Sequence, residues 1–257
     1  MITSRTAIVA SLLAATGLNA GTVAMPEAMT APAESGWSFR FAPYAWLVAI
    51  EGDMGVGPFT APVDISFSDT LDKLDMAYMF LAEAGYGRWT LTADFVYGDF
   101  SNDITRRGLI NRFSYEYTQW VFTPSLGYRV IQTDGYAMDV FAGARVTDFE
   151  ASVTAFLPLN FRIQRSRSDR WTDPIVGVRG QADLNERFTL RYNADIGGFG
   201  ASSDLVWQAF LGLGYRMTDN ATVAIGYRAM GVDYTSDQFS PMDVINHGPL
   251  LGFEFRF

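Results

Sequence analysis

The side chain best suited to acid–base chemistry is His247, the only histidine of the chain, because an imidazole exchanges its proton near neutral pH. A hydrolase could use it as a general base beside a serine or an aspartate, and Ser240 and Asp243 are close in sequence. A single histidine at the edge of a loop is more often a solvated side chain than a catalyst. The sequence has no denser group of catalytic residues, so we predict no catalytic site and no enzymatic activity.

Charged residues of both signs alternate with apolar residues along much of the chain. If the apolar residues face outwards, the charges face an enclosed interior, where each of them requires a partner. Two interpretations are open: a narrow, charge-lined conduit, or a filled interior that only stabilises the fold. We favour the filled interior. Its predicted polar network consists of Glu83, Asp94, Asp139, Arg145, Arg179, Arg191, Asp195, Arg216, Arg228, Glu254 and Arg256.

A basic segment ends at Arg170, and an acidic segment covers residues 51–75. Guanidinium groups bind phosphates through paired hydrogen bonds, so the basic segment is a candidate contact for membrane phosphates, with a solvated loop as the alternative. Divalent cations could bind the acidic segment, but its spacing matches no calcium loop. No zinc spacing or nucleotide fingerprint occurs, and we expect no cofactor and no metal. The arginines of the basic segment, which could contact membrane phosphates, are Arg162, Arg165, Arg167 and Arg170.

The elements that must position these residues are strands, because an apolar face of period two dominates the sequence after Gly36. In one run Trp89, Leu91 and Phe95 share a face, and Asp94 lies on the other. Ten such runs follow one another, each near the 9–11 residues that a tilted strand needs to cross hydrocarbon. The sequence therefore predicts an all-β, antiparallel, up-and-down transmembrane barrel of about ten strands.

The connections between these runs alternate between short turns and long segments. The long ones cover residues 51–75, 99–112, 148–170, 198–204 and 233–246. Short turns on one side and long loops on the other are typical of bacterial barrels, and both termini fall on the short-turn side. Residues 51–67 and 150–168 could pair as hairpins beyond the membrane, so eight or twelve strands are the alternatives to ten.

Three prolines lie in or beside the predicted strands, where proline cannot donate a hydrogen bond to a neighbouring strand. In the first strand the apolar residues change from odd to even positions around Pro43. A bulge at that proline would absorb the change. Pro124 and Pro174 lie in or beside other predicted strands, and both weigh against the predicted register.

The alternation of apolar and polar residues does not show which face of the strands contacts water. A soluble periplasmic barrel or sandwich would show the same period. Aromatic residues at both ends of the apolar face favour a membrane, where such rings lie at the headgroups. Near the short turns these are Trp37, Tyr86, Trp89, Tyr128, Tyr136, Phe188, Tyr215 and Phe257. Near the long loops they are Tyr97, Trp120, Trp171, Trp207 and Tyr234.

The N-terminus has the pattern of a secretory signal peptide. One positive charge precedes an apolar stretch from Thr6 to Leu18, and small residues follow it. We predict a signal peptide over residues 1–24, cleaved near Ala20 or Ala24, then a flexible leader over 25–35 and the barrel over 36–257. The net charge of -9 disfavours nucleic acid as a partner, and the absence of cysteine excludes disulfides.

Several stretches resemble a broad group of proteobacterial outer-membrane barrel proteins, porin-like or OmpA-like small barrels mostly without an assigned activity. The most specific are Gly197-Gly198-Phe199-Gly200 and the ending from Gly248 to Phe257. The resemblance covers nearly all of the mature chain and implies an outer-membrane location. It also implies that Phe253, Phe255 and Phe257 form the C-terminal signal that the outer-membrane assembly machinery recognises.

These observations predict a small integral outer-membrane barrel with a structural or surface-interaction role. Its expected partners are outer-membrane lipids, lipopolysaccharide and the assembly machinery, and its oligomeric state stays open. A narrow channel for ions or small solutes is the alternative, and a lipid- or peptide-modifying enzyme is a third hypothesis.

Overall fold

The computed structural model describes residues 36–56, 59–105, 112–156, 162–235 and 242–257. The predicted signal peptide and leader lie outside the described residues, as does Ser240. Twelve strands and one short helix make up the described part. They are β1 (Trp37–Trp46), β2 (Ala49–Val56), β3 (Phe59–Ile65), α1 (Phe67–Asp72), β4 (Leu74–Tyr86), β5 (Trp89–Thr105), β6 (Arg112–Thr133), β7 (Tyr136–Phe156), β8 (Arg162–Asp183), β9 (Phe188–Gly198), β10 (Leu205–Arg216), β11 (Ala221–Tyr234) and β12 (Met242–Arg256).

Ten of these strands form a closed antiparallel barrel, which confirms the predicted fold. The order around the wall is β1, β4 and then every strand to β12 in sequence, and β12 pairs with β1 to close the cylinder. Closure removes the unpaired strand edges that an open sheet would expose to lipid. Among the described residues, no helix has the length and apolar character needed to span a bilayer.

The remaining two strands form the hairpin that the sequence predicts over residues 51–67. The end of the barrel with the short turns is called lower, and the opposite end upper. β2 pairs with the upper part of β12, β1 pairs with the lower part, and β3 pairs with β2. Both partners of β12 follow one register, since Trp46 faces Leu250 and Ala49 faces His247. Helix α1, which the sequence pattern does not predict, begins after Ser66, whose side chain accepts a hydrogen bond from the backbone N–H of Asp69.

The predicted bulge at Pro43 is wrong. The pairings of β1 with β4 and with β12 each keep one register along the whole strand. Even-numbered residues of β1 face inwards throughout, so Tyr44 and Trp46 lie in the lumen together with Arg40. The large residues change from odd to even positions because the aromatic Tyr44 and Trp46 face the lumen, and the strand does not change phase.

The other two prolines are accommodated inside strands. Pro124 lies in β6 opposite Ala93, and the ladder to β7 is interrupted beside it, between Phe122 and Ser125. Pro174 lies in β8 just above Ile175, where the pairing with β9 begins. In both places the missing N–H falls where a ladder is broken or absent, so the proline costs little.

Strands β5 to β8 are much longer than the membrane requires. They have 17, 22, 21 and 22 residues, whereas β9 has 11 and β10 has 12. Their upper ends pair with one another and form a projecting sheet made of residues 99–105, 112–118, 148–156 and 162–170. The prediction of a long loop over 99–112 is therefore wrong for its strand-forming part, and the predicted hairpin over 150–168 is confirmed.

The outward face of the wall is apolar and the inward face is polar. The outward Leu211 and Ile225 are 55% and 60% exposed, whereas the inward Arg145 and Glu254 are 3% and 4% exposed. In water this arrangement would expose most of the apolar surface and enclose the charges, so the wall requires a surrounding of acyl chains. The protein is an integral β-barrel of the bacterial outer membrane.

Aromatic rings mark the lower border of the apolar band as predicted. Trp37 contacts Tyr86, and Trp89 meets Tyr128 edge to face, with ring centroids 5.2 and 5.0 Å apart. At the upper border the prediction is wrong for two rings. Trp171 and Tyr234 are only 6% and 7% exposed, and they stack on each other with centroids 4.1 Å apart.

Candidate functional site

The lower tier of the lumen is a network of ion pairs around Glu254. Its carboxylate accepts hydrogen bonds from Arg191 at 2.6 Å, from Arg256 at 2.8 Å and from Arg40 at 3.3 Å. Arg40 also donates to Glu83 at 2.6 Å, so one guanidinium joins two carboxylates from opposite neighbouring strands. A guanidinium donates from several nitrogens in one plane and can bind two carboxylates at once. An enclosed site of this kind therefore favours arginine over lysine.

The lower tier continues on the opposite wall around Asp139. Arg129 donates to this carboxylate at 2.9 Å, and the Nε of Arg179 lies 3.7 Å from it. Arg179 also donates to the Ser125 hydroxyl and to the Thr90 carbonyl, each at 3.1 Å. This guanidinium therefore reaches across two strands and holds β8 against β6 and β5 from inside.

The middle tier is centred on Arg228, which is 4% exposed. It donates to Asp94 at 2.7 Å, to the Tyr44 hydroxyl at 2.8 Å and to the Gln208 carbonyl at 3.0 Å. Tyr44 in turn donates to Asp94 at 2.6 Å. Because the four groups come from β1, β5, β10 and β11, their hydrogen bonds cross the lumen and occupy its centre.

A second buried pair belongs to the middle tier. One terminal nitrogen of Arg145 donates to both oxygens of Asp195, at 2.9 and 3.1 Å. Both side chains are almost fully withdrawn from solvent. Removing either partner would leave the other as an uncompensated buried charge, which is among the most costly defects in a folded protein.

Between the tiers lies a cavity of about 150 Å³ lined by both charged and apolar side chains. Above the middle tier, Trp46, Val121 and Met230 form a buried apolar cluster. Phe141, Ile175 and Val206 form another, which reaches down to the lower tier, since the Phe141 ring centre lies 5.1 Å from the Arg179 guanidinium. The guanidinium of Arg228 lies 5.0 Å from the ring centre of Trp46, so the cationic tier is directly covered by an aromatic side chain.

All eleven residues of the predicted polar network lie on the inward face. Ten belong to the two tiers, with Arg256 at the lower border. Arg216 instead lies at the lower rim, 3.5 Å from Asp183, where both side chains are about one-third exposed. Arg40, Tyr44, Gln208 and Arg129 also belong to the tiers but are absent from the predicted network. The alternation of Arg40 with Phe39 and Phe41 was a sufficient signal for the first of them.

A buried aspartate that the sequence analysis also missed fixes the β9–β10 turn. Asp173 accepts hydrogen bonds from the backbone N–H and from the hydroxyl of Ser203, both at 2.7 Å. The turn contains Gly198, Phe199 and Gly200 in succession with positive φ, a conformation that glycine tolerates and phenylalanine rarely adopts. The Gly-Gly-Phe-Gly motif therefore builds a low, tightly tied turn.

His247 faces outwards, where a tyrosine hydroxyl and a glutamate carboxylate lie beside its two ring nitrogens. Its Nδ1 lies 2.6 Å from the Tyr227 hydroxyl, and its Nε2 lies 3.3 Å from Glu51. Asp243 occupies the same outward face of β12, where it pairs with Asp53. The histidine thus links β11, β12 and β2 at the upper end of the apolar band.

Just above His247, aspartates of neighbouring strands lie side by side. Asp243 directly faces Asp233 on β11 and Asp53 on β2. The pKa of the Asp233 carboxyl is raised by partial burial and by repulsion from Asp243 and Asp204. Within the described residues, no group of three or more such side chains is arranged to hold a metal ion.

This repulsion makes a pH-dependent prediction. A raised carboxyl pKa means that the folded state binds the proton more tightly than the unfolded state does. Protonation of Asp233 therefore adds to the free energy of unfolding at low pH, and this contribution is lost as the pH rises through the folded-state pKa. Asp233→Asn should stabilise the barrel near neutral pH by about 0.5 kcal/mol, because like charges no longer face each other. Thermal unfolding at about pH 7 and about pH 3 tests this, and the gain should vanish at the acidic pH. Asp219→Asn, in a lower turn, is the control, and an equal gain there would contradict the explanation.

The four predicted phosphate-binding arginines lie on the upper end of β8, in the projecting sheet, and not in a loop as predicted. Arg170 is exposed on the outward face, donates to Asp148 at 2.6 Å and lies 5.2 Å from the ring centre of Trp120. The C-terminal Phe253, Phe255 and Phe257 are outward and exposed, at the lower end of β12.

No protein-family model matches the sequence, and no curated protein matches it. Among solved structures, the chain is similar to the translocator domain of the autotransporter NalP from Neisseria meningitidis, with a TM-score of 0.47 and 14% identity over 87% of this chain and 90% of that one. For Ail of Yersinia pestis the TM-score is 0.38, with 12% identity over 87% and 99% of the two chains. For the toluene transporter TodX of Pseudomonas putida the values are 0.33 and 10%, over 87% and 90%. At such identities and TM-scores the likeness says nothing about the role of this chain.

Proposed function

We propose that this protein is a non-enzymatic outer-membrane barrel with a structural or surface-interaction role. The observation that supports the proposal is the filled lumen. Two tiers of hydrogen-bonded charges cross its interior, and an apolar cluster around Trp46 covers them. Such a cross-linked interior favours a rigid support over a pore, and the projecting sheet of β5 to β8 supplies a surface above the membrane.

We propose two membrane contacts for this support. The first is lipopolysaccharide, whose phosphates would meet the arginines of upper β8, above all Arg170 at the upper border of the apolar band. The second is the assembly machinery, which would recognise the outward aromatic side chains of the last strand, Phe253, Phe255 and Phe257. His247 has no catalytic role in this proposal, since Tyr227 and Glu51 already occupy its two nitrogens.

A narrow channel is the second candidate, and the cavity of about 150 Å³ between the tiers is the observation that favours it. Conduction would require ions to pass the Arg228 centre and the Trp46 cluster, both of which lie across the lumen. The two candidates therefore differ in whether the middle tier stays closed.

Planar bilayers distinguish them. Purified wild-type protein should give no conductance steps above the leak of the bilayer, because moving an ion past buried, paired charges without displacing them costs several kcal/mol. The triple variant Trp46→Ala/Asp94→Ala/Arg228→Ala removes the covering ring and both charges of the centre, and it should produce steps, which shows that the assay detects an open lumen. Regular steps from the wild-type barrel, equal to those of the triple variant, would favour the channel.

A further inference from the structure

The upper end of β8 has a strand partner on one side only. Its pairing with β7 continues from Arg162 to Ala182, whereas its pairing with β9 covers only Ile175 to Asp183. The cause is the low β9–β10 turn, which Asp173 and Ser203 tie down beside the barrel wall. Above this turn, within the described residues, the second side of β8 faces no strand.

The free edge has a defined lower limit. Asp169 accepts a hydrogen bond from the backbone N–H of Arg170 at 2.9 Å and another from the Tyr234 hydroxyl at 2.9 Å. Trp171 stacks on Tyr234 directly below. The free edge therefore covers Arg162 to Ser168, seven residues or about 23 Å of extended chain.

The charge of this edge selects the kind of strand that it can accept. Arg162, Arg165 and Arg167 lie on it, opposite the uncharged Phe156, Val153 and Ala151 of β7. Directly opposite pairs in a sheet attract when their charges differ and repel when they match. The edge of a second copy would present the same arginines and be repelled, whereas an acidic strand would be attracted.

We propose that the free edge of β8 binds an extended acidic peptide of a partner protein, which adds a strand to the projecting sheet. Backbone hydrogen bonds from Arg162 to Ser168 would provide the affinity, and the three arginines would provide the preference for carboxylates. This inference deepens the proposed surface-interaction role and rests on it. It uses Arg162, Arg165 and Arg167, which the proposed contact with lipid phosphates also involves, so the test includes vesicles that contain lipid A.

The test uses the full-length barrel in detergent and a synthetic nonapeptide of alternating glutamate and valine. We expect saturable binding and slowed amide hydrogen exchange over residues 162–168. The same peptide, N-methylated at alternate residues, keeps its charge but cannot form the ladder, and it should bind at least about tenfold more weakly. Arg165→Gln/Arg167→Gln should weaken binding of the unmodified peptide by about tenfold. Arg88→Gln/Arg187→Gln, in the lower turns, is the matched control and should not.

Three results would overturn the inference: no binding of the acidic peptide, equal binding of the N-methylated peptide, or equal loss in the control variant. Binding that depends on Arg165 and Arg167 but is seen only with vesicles containing lipid A would assign the segment to lipid phosphates instead. A failure of the proposed function would appear in a separate experiment, as conductance of the wild-type barrel. The peptide-binding result could still be interpreted on its own.

Discussion

Asp195→Ala should destabilise the barrel by about 3–5 kcal/mol, because it leaves Arg145 as an unpaired charge in the middle tier. Arg145 is 3% exposed, and its carboxylate partner contacts it through two hydrogen bonds. The measurement is equilibrium unfolding in urea of the refolded protein in detergent micelles, followed by the mobility difference between the compact and unfolded forms on a gel.

Two variants separate burial from charge. Asp183→Asn removes the charge that faces Arg216 at the lower rim and keeps an acceptor for the Thr189 hydroxyl. Both charged side chains are about one-third exposed there, so the change should cost no more than about 1 kcal/mol. Arg145→Met/Asp195→Leu removes both buried charges and should recover most of the loss. If the rim variant proves as damaging as Asp195→Ala, burial in the lumen is not the cause.

Leu211→Arg should cost about 2–4 kcal/mol, because it puts a cation on the lipid side of the wall near the middle of the bilayer. Leu211 is outward, and it lies halfway along β10 between the lower turn and the β9–β10 turn. The folded fraction in lipid vesicles across a urea series measures the cost. A soluble barrel with this face exposed to water would tolerate or favour the charge.

Leu205→Arg is the matched control, since it introduces the same side chain on the same strand at the upper border of the apolar band. There the guanidinium reaches the headgroups, and the cost should fall to about 0–1 kcal/mol. Equal costs at the two positions would contradict a lipid surrounding, because only a bilayer makes the penalty depend on depth.

The barrel itself was predictable from sequence because lipid acts on every strand in the same way. Each crossing must show an apolar face of period two, and a run such as Trp89 to Tyr97 shows it without help from the rest of the chain. The inward position of charges such as Arg145 follows from the same alternation. Their pairing did not follow, because partners like Arg145 and Asp195 come from strands that are far apart in sequence.

In two regions the sequence-based prediction differs from the structure for identifiable physical reasons. Tyr44 and Trp46 are large aromatic residues that face the lumen, so the rule that such residues face lipid produced a false bulge at Pro43. In the projecting sheet, strands continue above the bilayer, where no acyl chains impose alternation. Polar segments such as Arg162 to Arg170 therefore look like loops although they are regularly paired with β7.

The last strand has a further consequence for biogenesis. β12 contacts β11 on one side and both β1 and β2 on the other, so the whole seam of the cylinder depends on Met242 to Arg256. This strand must be synthesised and exported before the wall can be sealed. Until then the first strands have no neighbour on their seam side, and their unpaired backbone groups are open to unintended pairing.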